Sequence, residues 1–124
     1  MTYSESREIL FALTDEELLA RLIYGEARGE SREGRQAVAF VVFNRLKRPK
    51  RFGSTIKNVI LKRQQFSCFN PDDKNFEYML APPNDIIMLG CRQEASVVYA
   101  ARMGFEIVDH AQGADHYHVI DKEG

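Results

Sequence analysis

The sequence feature that most constrains the fold is a row of apolar residues at helical spacing that ends in a carboxylate. Leu18, Leu19, Leu22 and Ile23 recur at the three- and four-residue intervals of one helix face, and Glu26 continues the row. A helix with such a stripe buries it against other elements, so Glu26 is expected to point inward. Burial disfavours the charged form of a carboxylate, which suits this side chain to donate a proton.

A structural role for Glu26 is the alternative, because several arginines lie close to it in sequence. A carboxylate paired with a guanidinium is also common in purely structural networks. The possible partners are Arg21, Arg28, Arg32 and Arg35. The periodicity alone therefore leaves the catalytic and the structural interpretation open.

Capping signals and apolar periodicity predict about four helices. Thr14 with Glu17 fits a capping box, and this first helix should run to about Arg28, with Gly29 ending it in a left-handed conformation. The other helices are predicted to begin after Ser31, after Ser54 or Thr55, and after Asn84, the last one running from Ile86 to Met103. Residues 64–83 show no clear period and are expected to form a functional loop.

The C-terminal residues change character. Residues 105–108 and 116–120 are β-prone and are separated by a segment containing Gly113, which predicts a small C-terminal β-hairpin. The 124 residues have room for one core, so the whole chain is expected to form one domain, with residues 1–13 as a leader segment packed on it. The predicted fold class is α+β and mainly helical.

Composition excludes several functional classes. Lys and Arg number 17 against 18 for Asp and Glu, so no nucleic-acid partner is indicated. The first twenty residues carry many charges and no apolar run of the length that a signal peptide or a membrane span needs. We expect synthesis in the cytoplasm without a signal peptide and no membrane insertion. Cys68 and Cys91 are interpreted as free thiols, with a single bridge left open, and the oligomeric state is not indicated.

Three histidines near the C-terminus could suggest a metal site. His116 and His118 alternate as on a strand, which would place both rings on one face together with the nearby His110. A fourth ligand and an H-E-x-x-H motif are both absent, so no metal and no other cofactor is expected. Instead, His116, Tyr117 and His118 are interpreted as the polar lining of a groove.

A second carboxylate would matter for glycoside hydrolysis, which in most families uses two. The two carboxyl groups are about 5–5.5 Å apart in retaining enzymes and about 6.5–9.5 Å apart in inverting ones. The candidates in the sequence are Glu30, Asp72, Asp73, Asp109 and Asp115. The four aspartates are interpreted as turn or surface residues. Gly29 lies between Glu26 and Glu30, so the spacing does not place Glu30 within either distance range.

Several blocks, taken together and in order, resemble the cell-wall hydrolase family that includes the spore cortex-lytic enzymes. The first contains the run from Gly25 to Glu30, and the resemblance extends over about residues 18–118. The blocks are residues 19–30, 34–39, 42–45, Phe52 with 56–60, 65–68 and 113–118. Spaced blocks in the right order are much more specific than any one of them.

The resemblance implies a lysozyme-like fold that acts on peptidoglycan glycan strands, with Glu26 as the catalytic acid. Members are described as lytic transglycosylases, which cleave between N-acetylmuramic acid and N-acetylglucosamine and leave a 1,6-anhydromuramyl end. One carboxyl group suffices, first as acid and then as base. The groove residues implied by the matching blocks are Tyr24, Gln65, Phe66, Ser67, His116, Tyr117 and His118.

The chain departs from the family pattern in three ways. Asp115 stands where the family often has Thr, the chain ends six residues after His118, and it contains no Trp. Sugars would then stack on Phe or Tyr. A hydrolytic muramidase with a second carboxylate and a non-catalytic glycan- or virion-binding module therefore remain alternatives. The small size and the expected lack of a secretion signal favour a phage or prophage lysin that reaches the wall after release or as a virion component.

Overall fold

The computed structural model describes residues 1–102, and the structural statements below concern that part of the chain. Its regular structure consists of seven α-helices and one short 3₁₀ turn at Ser67–Phe69. The helices are α1 (Tyr3–Phe11), α2 (Asp15–Ala27), α3 (Arg32–Leu46), α4 (Pro49–Phe52), α5 (Ile56–Leu61), α6 (Phe76–Leu80) and α7 (Ile86–Arg102).

Helix α2 is the centre of the core. Leu18, Leu19, Leu22 and Ile23 are fully buried, as their spacing predicted. Around α2 lie α3, α5, α6, α7 and the 3₁₀ turn, all in contact with it. The stripe is thus covered on several sides, which fixes the orientation of the last turn of α2, where Glu26 lies.

The predicted helix starts are largely confirmed. The hydroxyl groups of Thr14, Ser31 and Thr55 each accept a hydrogen bond from the backbone N–H three residues later, at 3.1, 3.1 and 3.0 Å. The start of α7 is shifted by one residue, because Asp85 and not Asn84 accepts this bond, at 2.9 Å. A carboxylate is well suited to this place, since it also faces the positive end of the helix dipole.

The predicted α+β class with about four helices is wrong for the described residues, whereas the mainly helical character of the prediction is confirmed. The described part of the chain contains seven α-helices and no strand. The unexpected helices are α1, α4 and α6, and the last of these, with the 3₁₀ turn, lies inside the segment predicted to be a loop. Helices α4 and α6 have four and five residues, too few to show a helical period. The residues assigned to the hairpin, 105–108 and 116–120, lie outside the described residues.

The end of α2 also differs from the prediction. Gly29 was expected to be left-handed, but the positive-φ glycine in the described structure is Gly53, at 125°. The chain leaves α2 through Arg28 in a right-handed conformation, and the N–H of Glu30 donates to the carbonyl of Ala27 at 2.9 Å. A single tight turn satisfies this carbonyl, so no left-handed residue is required.

Two further predictions from the sequence concern membrane-spanning helices and the state of the two cysteines. No helix within residues 1–102 is both long and apolar enough to cross a membrane. Cys68 and Cys91 are free and buried, as expected.

Candidate active site

Glu26 lies in the last turn of α2 and is half-buried. The buried thiol of Cys68, which belongs to the 3₁₀ turn, lies close enough to this carboxylate to interact with it electrostatically. The inward direction predicted from the apolar stripe therefore brings the carboxylate to the junction between α2 and this turn.

The Cys68 thiol is neutral in this position. Its residue is 1% exposed. Burial raises the pKa of the thiol far above its usual range, and the negative charges of Glu26 and Asp73 raise it further. Cys68 is consequently a protonated thiol beside Glu26, and its burial argues against a nucleophilic role.

Gly25 makes this contact possible. A Cβ atom at Gly25 would lie 2.6 Å from Sγ and 2.8 Å from Cβ of Cys68, and 2.9 Å from Cε of Met79. Any side chain at this position would therefore push the 3₁₀ turn away from α2 and displace the terminal methyl of Met79. The glycine that precedes Glu26 thus has a physical explanation, because it leaves room for the Cys68 thiol to pack beside the following carboxylate.

The structural interpretation of Glu26 predicted an arginine partner, and no described residue forms an ion pair with it. All four arginines proposed as partners are engaged elsewhere. Arg21 pairs with Glu17 at 2.9 Å. Arg28 donates to the Tyr24 carbonyl and to the side chain of Asn75, both at 3.0 Å. Arg32 and Arg35 both lie close to Glu94, as described next.

A buried polar cluster around Glu94 supports the segment that follows Glu26. Glu94 of α7 accepts from Gln36 at 2.8 Å and from Arg35 at 3.2 Å, and its side chain is 8% exposed. Arg32 lies 3.8 Å from it and is largely exposed. Arg35 also donates to the carbonyl of Glu30 at 2.7 Å. This cluster ties α3 and α7 to the connection between α2 and α3, and nothing in the sequence periodicity indicated it.

The predicted groove residues 65–67 have different environments. Phe66 is 3% exposed, and the guanidinium of Arg45 lies 4.5 Å from its ring centre, so its ring is part of the core. Gln65 is half-buried and Ser67 is exposed. Ser67 precedes Cys68 directly and is therefore near Glu26 and accessible to a ligand.

Tyr24 lies on a different face of α2 from Glu26. Two residues along a helix correspond to a rotation of about 200°, so the two side chains leave α2 in nearly opposite directions. Tyr24 is 6% exposed and meets the ring of Tyr78 edge-on at 5.7 Å, while the guanidinium of Arg28 lies 4.7 Å from the Tyr24 ring centre. Its predicted contact with substrate stays a prediction, and Tyr78, which is 42% exposed, was not indicated by the sequence.

Of the candidate second carboxylates, three are described. The side chain of Glu30 lies against Gly34, at the start of α3. Asp73 acts on Cys68 through its charge and accepts a hydrogen bond from the backbone N–H of Asn75 at 2.8 Å. Asp72 lies nearby in an exposed loop.

The remaining predicted site residues lie outside the described residues. These are the groove residues His116, Tyr117 and His118, together with His110, Asp109 and Asp115. Within residues 1–102, no group of three or more His, Cys, Asp or Glu side chains is arranged to hold a metal ion.

Comparison with known proteins supports the resemblance. Residues 29–123 match the family described as Cell Wall Hydrolase. This match begins three residues after Glu26, so the family match does not itself cover the proposed acid. No solved structure matches the chain significantly.

Two curated relatives are spore cortex-lytic enzymes. The one from Oceanobacillus iheyensis is 38% identical over 77 residues, which cover 56% of this chain and 28% of that protein. The one from Bacillus subtilis is 44% identical over 58 residues, covering 47% of this chain and 19% of that protein. The aligned part of the chain thus corresponds to less than a third of either relative. The phage or prophage origin stays a prediction.

Proposed function

Because the chain belongs to the cell wall hydrolase family, we propose that it cleaves the glycan strands of peptidoglycan with Glu26 as its catalytic acid. The observation that carries the proposal is the environment of this carboxylate. It is half-buried at the end of α2, lies beside the buried Cys68 thiol and has no cationic partner among the described residues. The names of the two relatives, cortex-lytic enzymes, support the same substrate.

The proposed reaction is lytic transglycosylation of the bond between N-acetylmuramic acid and N-acetylglucosamine. Glu26 donates its proton to the glycosidic oxygen as the bond from that oxygen to the muramyl C1 breaks. The resulting carboxylate then takes the proton of the muramyl C6 hydroxyl, whose oxygen closes on C1. The products are an N-acetylglucosamine end and a 1,6-anhydromuramyl end, and no water is consumed. One carboxyl group is sufficient for this sequence.

Cys68 would assist by orientation. A thiol that stays protonated donates to the carboxylate form of Glu26 more strongly than to the carboxylic acid. It would therefore hold the side chain in place after the proton has been given to the leaving group, when the carboxylate must act as base.

The test is the analysis of fragments released from isolated peptidoglycan by mass spectrometry. Wild type should release muropeptides with anhydromuramyl ends, and Glu26→Gln should release none. Glu33→Gln, which changes an exposed carboxylate in the first turn of α3, is the matched control and should behave as wild type. Equal release by wild type and Glu26→Gln would refute the role of Glu26. Binding of peptidoglycan without any fragment release would identify a glycan-binding module instead.

Hydrolysis by a muramidase mechanism is the second candidate, and the position of Asp73 is the observation that favours it. Both Glu26 and Asp73 act on the same thiol through their charges, so two carboxylates lie in the neighbourhood of Cys68. In that mechanism Asp73 would activate water or stabilise the sugar cation. Ordinary reducing ends that disappear in Asp73→Asn would establish it.

A further inference from the structure

A polar cavity lies beside the candidate active site and is not used by the proposed reaction. Its volume is about 140 Å³. This is well below the roughly 300–1,000 Å³ of a site that holds a whole small molecule, so it suits a single charged group of a larger ligand. The lining residues are Tyr3, Arg63, Gln64, Asn70, Pro71 and Asp72.

The cavity presents one positive and one negative side chain, those of Arg63 and Asp72. Neither Arg63 nor Asp72 forms an ion pair with any described residue, and both are exposed. The guanidinium of Arg63 lies 5.6 Å from the centre of the Tyr3 ring, and Arg7 approaches the same ring at 5.8 Å. Arg7 also donates to the Tyr3 hydroxyl at 3.3 Å. The ring therefore orients Arg63 while its N–H donors remain available to a ligand.

The backbone at the rim of the cavity is strained. Gln64 has a φ of 62°, the left-handed conformation that non-glycine residues rarely adopt. Residues held in such a conformation cluster at ligand clamps and active sites. Gln64 directly precedes the block 65–68 that the sequence assigned to the groove. The left-handed backbone of Gln64 and the two charged side chains that form no ion pair within residues 1–102 are independent observations, and both concern the same cavity.

The cavity is connected to the surroundings of Glu26 through Cys68. Asn70, in its wall, is two residues after Cys68, and two residues span at most about 7 Å. Cys68 in turn contacts Glu26. A glycan strand that is cleaved at Glu26 would thus carry the peptide branch of its muramyl sugar into the neighbourhood of the cavity.

We propose that this cavity binds the zwitterionic end of an amino acid in the peptide stem of peptidoglycan, with Arg63 receiving its carboxylate and Asp72 its ammonium group. The inference rests on the proposed function, because it takes the substrate to be a peptide-substituted glycan. The cavity then selects glycan that carries stems over glycan that does not.

The activity test compares intact peptidoglycan with the same material after an amidase has removed its stems. Wild type should cleave intact material with a kcat/KM about tenfold higher, the size expected of a hydrogen bond to a charged group. Arg63→Gln and Asp72→Asn should lose this preference and retain full activity on the bare glycan. Arg51→Gln is the matched control, since Arg51 is likewise an exposed arginine stacked on a ring, 4.9 Å from the centre of Phe52, and does not line the cavity.

A binding test makes the inference independent of catalysis. A synthetic stem tripeptide that ends in meso-diaminopimelate is titrated into the labelled protein, and amide chemical shifts are followed by NMR. Shifts should appear around residues 63–64 and 70–72 in wild type and vanish in Arg63→Gln. No shifts in wild type, together with equal cleavage of both materials, would overturn the inference and leave the proposed function intact. Cleavage of neither material would refute the proposed function, while the titration would still decide whether the cavity binds the peptide.

Discussion

Replacing Gly25 with Ala tests the contact on which the candidate site is built. The added Cβ would lie 2.6 and 2.8 Å from Sγ and Cβ of Cys68. Met79 could move its terminal methyl, which would be 2.9 Å away. Cys68 has less freedom, because it is 1% exposed and its Cβ is fixed to the backbone of the 3₁₀ turn.

The expected magnitude is the difference between two terms. Overpacking a buried site costs about 1–3 kcal/mol, and two contacts below 3.0 Å with one fixed residue put this case in the upper half of that range. Alanine within a helix gains about 1 kcal/mol over glycine. The net loss of unfolding free energy should be about 1–2 kcal/mol, which corresponds to a fall in Tm of roughly 3–8 °C.

The assay is denaturant and thermal unfolding followed by far-ultraviolet circular dichroism. Gly90→Ala in α7 is the matched control, since a Cβ there meets no atom within 4 Å, and it should be stabilised by about 0.5–1 kcal/mol. Fragment release by Gly25→Ala should fall further than its folded fraction, because the displaced thiol no longer holds Glu26. If both alanine variants were stabilised equally, the close packing of Cys68 on Gly25 would be refuted.

Two further predictions concern buried ionisable groups. Glu94→Gln leaves the guanidinium of Arg35 without its buried counter-charge and should lower the unfolding free energy, measured by urea titration, by about 2–3 kcal/mol. The control Glu33→Gln should change it by less than about 0.5 kcal/mol. Equal effects of the two substitutions would contradict the structural role of the Glu94 cluster. Burial raises the pKa of the Cys91 thiol to about 11, above the value of about 8.5 in an unfolded chain, so the unfolded state loses its proton first. Its contribution to stability should therefore be fully present below about pH 8 and be lost as the pH rises towards 11. Urea midpoints measured across this interval should fall less steeply for Cys91→Ala than for wild type, and parallel curves would show that the thiol contributes nothing.

The sequence predicts α2 well because the signals for this helix are local. Thr14 supplies its N-cap, and the spacing of its apolar residues determines which side is buried. The inward direction of Glu26 follows from the same spacing. Helices α4 and α6 are not predicted from apolar spacing because they are shorter than the window in which a helical period can be recognised.

The environment of the candidate site depends on contacts between distant parts of the chain, which periodicity does not reveal. The requirement for glycine at position 25 follows only from the packing of Cys68 on α2, which the sequence does not show. Phe66 belongs to a block assigned to the groove, yet Arg45 from α3 covers its ring in the core. Glu94 looks like one more polar residue of α7 until Gln36 and its neighbours surround it. Each of these roles is set by tertiary packing.

In the proposed mechanism Glu26 cleaves the glycan by itself, without adding water. This mechanism is tested most directly by digestion of purified peptidoglycan in water enriched in heavy oxygen, followed by mass spectrometry of the muramyl ends. Transglycosylation by Glu26 predicts anhydromuramyl products that are lighter by one water than the hydrolysis products and free of the label. These products should be absent with Glu26→Gln. Muramyl ends that carry the heavy oxygen, or unchanged product formation by Glu26→Gln, would contradict it.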